Sequence, residues 1–132
     1  MGKTLLPAVN AQAVNERSGG ICEAQIPGIC SGRAEHLHHR KFRSGGEDHS
    51  VPNLIHICDN CHTRIHAGKA TAKKFGWAIT SHTAQKPAEY PVLYRGRMAK
   101  LTETGGVELE PVKYRKPLPA GLDPWESKGE AE

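Results

Sequence analysis

Large rings are scarce in this 132-residue chain, which has two Trp, three Tyr and two Phe. A core so poor in aromatics needs a further staple, and a structural metal is the expected one. Long apolar runs are missing too. No stretch could span a bilayer, and Met1–Val14, interrupted by Pro7, Asn10 and Gln12, lacks the continuous apolar segment of a signal peptide. The chain is therefore expected in the cytoplasm and away from membranes, where four cysteines favour metal over disulfides. There are no internal repeats, and the length suits one compact domain.

The positive charge is modest and unevenly spread. Residues 1–100 hold 14 Lys/Arg against 7 Asp/Glu, whereas residues 101–132 hold 4 against 7. A basic body suits a polyanionic partner, although many soluble domains are mildly basic with no such role. Position says more than charge. All four Cys and seven of the eight His lie between Cys22 and His66, a concentration that points to bound metal.

The composition of Ala8–Ser18 favours a helix, with Val9, Ala13, Val14 and Arg17 on one face and Gly19-Gly20 ending it, so residues 1–20 read as a short helix or arm. Cys22 and Cys30 flank a Pro27-Gly28 turn that can bring the two sulfurs together. Ala34–Lys41 is a candidate strand carrying His36, His38 and His39, and 43–52 is a loop around Gly45-Gly46. Asn53–Cys58 is the returning strand, and Asp59 is a plausible cap for a helix through His66 that Gly68 ends. Thr71–Trp77 suggests another helical turn. Pro91–Leu101 reads as a hairpin around Arg95-Gly96, and 106–112 as a further strand, giving a β extension over 81–114. Residues 115–132, rich in Pro, Gly and charge, are expected to be disordered.

Cys58-x-x-Cys61 has the spacing that lets two thiolates face one ion, and Cys22 and Cys30 would complete a tetrahedral shell. Four thiolates leave no position for water, so such a zinc site would be structural. The alternatives are two disulfides or four buried free thiols. His62 and His66, four apart on the predicted helix, project from one face. Zinc peptidases with this spacing need Glu directly after the first His, and Thr63 stands there. Adjacent strand residues point to opposite sides, so only one of His38 and His39 can join His62 and His66 around an ion. The other keeps a nitrogen for proton transfer.

His38-His39, Asn53-Leu54 and Cys58-x-x-Cys61-His62-x-x-x-His66, in that order, resemble the ββα-metal core of HNH endonucleases. With Cys22 and Cys30 in front, the set is most similar to the small free-standing HNH proteins of tailed phages and prophages. The resemblance runs from Cys22 to about Gly68. It implies a small α+β fold: a ββα-metal (His-Me finger) core over 21–80, stabilised by a four-cysteine zinc site.

The resemblance also implies roles. His39 is the general base that activates water for phosphodiester hydrolysis. His38, His62 and His66 hold one catalytic divalent ion, and Asn53 fixes the His39 backbone across the hairpin. Many HNH enzymes carry Asp where His38 stands, and imidazole tolerates softer ions, so magnesium, manganese, nickel and zinc are all candidates. Some members use only the first histidine of the helix, which bears on His66. Arg40, Lys41 and Arg43 are expected to clamp DNA phosphates, with Lys69, Lys73 and Lys74 extending the basic track. Phage terminase or portal proteins are the implied partners in a bacterial host cell, with the chain a monomer or weak homodimer. The rival reading is a non-catalytic zinc module that binds DNA or protein in phage assembly. His36, His49, His56 and His82 receive no function, and Trp77 and Trp125 are read as packing or tail residues.

Overall fold

Helix-forming residues between Pro7 and Gly19 give the first element. In the computed structural model, which describes residues 7–41, 48–80 and 85–111, helix α1 spans Ala8–Ser18. Gly19 adopts a left-handed φ of 63° and returns its N–H to Asn15 O, which ends the helix. Strand β1 (His36–His39) pairs antiparallel with β2 (Leu54–Ile57), placing His38 opposite Ile55 and His39 opposite Leu54. Helix α2 (Asp59–Ala67) follows at once and α3 (Lys69–Lys74) after a break at Gly68. A second antiparallel sheet, in the order β3 (Val92–Tyr94), β4 (Arg97–Leu101), β5 (Val107–Leu109), closes the described chain. The protein is thus a small α+β fold with two small antiparallel sheets.

Differences from the sequence reading are local. Cys58, not Asp59, caps α2, its Sγ accepting from Cys61 N at 3.3 Å. The helical turn expected over Thr71–Trp77 begins earlier and ends at Lys74, which frees Trp77 to enter the core. The Gly45-Gly46 loop, Arg43, His82, Trp125 and the tail from residue 115 lie outside the described residues.

The main core joins the cysteine loop to the second sheet through Ile26, Ile55, Ile57, Ile65, Trp77, Val92 and Leu101, all 2% exposed or less. Each fully buried aliphatic side chain of this size contributes about 1.5–3 kcal/mol relative to exposure. A smaller cluster seats Val14 of α1 on Val51 and Leu54. Between the two lies Glu23, 1% exposed, whose carboxylate accepts from Arg17 Nε (2.7 Å) and Nη2 (2.9 Å), the His56 backbone N–H (2.7 Å) and Tyr94 Oη (2.7 Å). A buried carboxylate is tolerable only when so fully satisfied. It ties α1, β2 and β3 together.

Gly76 is a position only glycine can hold. Its φ is 78°, and a Cβ there would lie 2.0 Å from Pro91 O. This close approach lets segment 76–79 run beside the end of β1, where Lys41 and Ile79 form a parallel bridge and Ile79 N donates to Arg40 O at 2.8 Å.

Candidate metal centres

Two donor clusters stand out among the described residues: Cys22, Cys30, Cys58 and Cys61, and His38, His62 and His66. In each, one donor atom per residue lies within 4.8 Å of all the others. The Pro27-Gly28 turn delivers the first sulfur pair, with Cys30 N donating to Ile26 O at 3.0 Å, and the β2–α2 junction delivers the second. All four thiols are free. Backbone N–H groups of Gln25, Ser31, Gly32 and Cys61 point at Cys22, Cys58, Cys30 and Cys58 sulfurs respectively, at 3.2–3.4 Å.

Such donors favour thiolate. The Cys61 thiol, hydrogen-bonded to Cys22, brings Cys22 down to about 5 and is itself raised for the same reason. Burial raises Cys30 to about 11. Burial also pushes Cys58 up, but the N–H groups of Ser31 and Cys61 outweigh it and the net shift is downward. Four clustered sulfurs with N–H groups aimed at them could hold one structural metal ion.

The imidazole cluster joins β1 to α2. Ring centroids are 5.4 Å apart for His38–His62, 5.5 Å for His38–His66 and 4.5 Å for His62–His66. His38 is 2% exposed and its Nε2 lies 2.8 Å from Trp77 O. A carbonyl can only accept, so neutral His38 carries its proton on Nε2 and its lone pair on Nδ1. Burial pulls His38 down to about 3 and lowers His62 and His66 as well, with each of the two receiving a smaller push from a neighbouring cation or imidazole. Neutral imidazoles with lone pairs are what a divalent ion requires.

The chain matches no family model, no curated protein and no solved structure.

His39, next to His38 but across the strand, directs Nε2 to His49 Nδ1 at 2.9 Å. Asn53, fully buried, accepts from Lys41 N through Oδ1 (2.8 Å) and donates through Nδ2 to Asp48 O (2.8 Å), while its own carbonyl accepts from Arg40 N (2.8 Å). Its side chain therefore grips Lys41 and the return of the loop, while its carbonyl holds the His39–Arg40 peptide across the hairpin.

Arg40 corrects an expectation. It is 0% exposed, and its guanidinium donates to the carbonyls of Gly76, Pro52, Pro87, Tyr90 and Pro91. With every donor directed at backbone oxygen inside the protein, it cannot clamp a phosphate. Lys41 is half-buried and Arg43 lies outside the described residues.

Two histidines set aside in the sequence reading touch the site. His36 stacks on His62 (4.6 Å, 21° between planes) and its Nε2 lies 2.8 Å from Asp59 Oδ1. Its parity with His38 on the strand was the available signal. His49, half of the pair with His39, gave none. His56 directs Nδ1 to Ser18 Oγ at 2.8 Å. A groove of about 410 Å³ between Gly28, Ile29 and α2 residues Asn60, Thr63, Arg64 and Ala67 contains none of these histidines.

Proposed function

We propose that the chain is a metal-dependent DNA endonuclease of the HNH type, hydrolysing phosphodiester bonds, with β1, β2 and α2 as its ββα core. The observation that carries this reading is the convergence of His38, His62 and His66 while the adjacent His39 turns to a different partner. His38, His62 and His66 would hold the catalytic ion. A divalent cation bound there offsets the negative charge that develops on the phosphoryl and leaving oxygens. His39 accepts the proton of the attacking water at a nitrogen whose ordinary pKa lies near neutrality. Asn53 holds the end of β1 against the loop return, and the Trp77 carbonyl fixes the His38 ring. The four cysteines would hold zinc in a purely structural role. The all-imidazole set suits nickel or zinc better than manganese or magnesium, which prefer oxygen ligands. A place in phage DNA packaging belongs to the same proposal.

The test is cleavage of supercoiled plasmid by chelator-treated protein resupplied with each ion in turn. Wild type is expected to nick, and His39→Ala to lose at least about 10²-fold in rate while keeping its metal content. Cleavage by His39→Ala at the wild-type rate refutes the assignment. Folded wild-type protein that binds DNA but cuts with no ion favours the rival, a zinc-stapled binding module.

A further inference from the structure

His49 is 8% exposed, and its ring lies 5.0 Å from that of His39 at a tilt of 59°. Its backbone is held from two sides. Asn10 of α1 donates from Nδ2 to His49 O at 2.8 Å, and Asn53 Nδ2 donates to Asp48 O at 2.8 Å. Ser50 N donates to Asp48 Oδ1 at 2.9 Å, which fixes the following peptide. A ring so buried and so anchored presents its Nδ1 to His39 Nε2 at 2.9 Å.

A hydrogen bond between two imidazole nitrogens contains one proton, so one ring donates and the other accepts. Because this contact joins Nε2 of one ring to Nδ1 of the other, neutral rings can form it in two ways. Either both carry the proton on Nε2, or both carry it on Nδ1. The Nε2–H form is the one a neutral histidine side chain favours in water, so the first arrangement needs no tautomeric cost.

We propose that His49 is a positioning residue for His39. It accepts from His39 Nε2–H, fixes the ring's orientation and leaves the His39 lone pair on Nδ1, the nitrogen that then receives the proton from water. This rests on the reading of His39 as the general base. It also gives α1 a task beyond packing, since Asn10 secures the peptide that presents His49.

The test begins with long-range proton–nitrogen spectra of histidine-labelled, metal-free protein at a pH where both rings are neutral. Both His39 and His49 are expected as Nε2–H. His49→Phe should turn His39 into a mixture of tautomers, whereas His49→Asn, which keeps an acceptor oxygen near the place of Nδ1, should preserve it. In plasmid cleavage His49→Phe should lower kcat about 10–100-fold with KM for DNA and metal content unchanged, and His49→Asn should recover most of the rate. Finding His39 protonated on Nδ1 in wild type overturns the proposal, as does His49→Phe with unchanged tautomer and kcat. Should wild type cleave nothing with any ion, the endonuclease reading fails while the spectra still decide the His39–His49 geometry. Should His49→Phe not fold, wild type and His49→Asn decide it.

Discussion

Replacing Arg40 by Met removes five donors from the interior while nearly keeping side-chain length. The shortest contacts are 2.8 Å to Gly76 O, 2.8 Å to Pro52 O and 2.7 Å to Tyr90 O; those to Pro87 O and Pro91 O are 3.2 and 3.4 Å. Each buried carbonyl left without a donor costs about 1–3 kcal/mol. Against this, the variant no longer has to bury a charge. Burial lowers Arg40 to about 9, so at neutral pH the guanidinium is still cationic and that relief is real. The three short contacts lose about 3–9 kcal/mol and the relief returns about 1–4 kcal/mol, which centres the net loss on about 3–4 kcal/mol. That is a large share of the roughly 5–15 kcal/mol that holds a domain together. Urea unfolding, followed by far-ultraviolet circular dichroism and tryptophan fluorescence, should show a much lower midpoint at similar slope. An unchanged midpoint together with weakened DNA binding would mean that Arg40 acts at the surface, and the buried-hub account would be wrong.

Cys58→Ser should abolish retention of the thiol-bound ion and lower Tm by several degrees; elemental analysis beside calorimetry checks it, and full metal content in the variant refutes the four-thiol site. Tyr94→Phe withdraws one donor from the buried Glu23 carboxylate and should cost about 1–3 kcal/mol in urea unfolding, with no change in metal content. Acid should weaken the metal-free fold through His38. Its folded pKa of about 3 lies below the ordinary 6.5, so the unfolded chain binds the proton first, and the stability present above pH 6.5 is lost as pH falls toward 3. His38→Gln, which can still donate to Trp77 O, should flatten that decline; an equally steep decline in the variant would refute it.

Much of the core was legible because helix and strand periods leave plain marks. Pro7 and Gly19 bound α1, and the alternation of β1 separates His38 from His39. The Cys58-x-x-Cys61 spacing likewise marks a turn into a helix. The same alternation also puts Arg40 on the inner side with His38, two residues on, yet a charge beside a loop invites an outward reading. What decides Arg40 is a ring of carbonyls from segments 12 to 51 residues distant, and backbone oxygens have no letter in a sequence. The Trp77 carbonyl that orients His38 is hidden in the same way. His49 sits in a loop, where no periodicity says which way a ring turns.

Cys61 and His62 are consecutive on α2, and Cys58 caps that helix. A helix turns as a rod, so whatever grips the sulfurs also sets the angle at which His62 and His66 meet His38. The two donor clusters are thus geared to a single axle. An ion gripped by the thiols would steady the imidazoles as well.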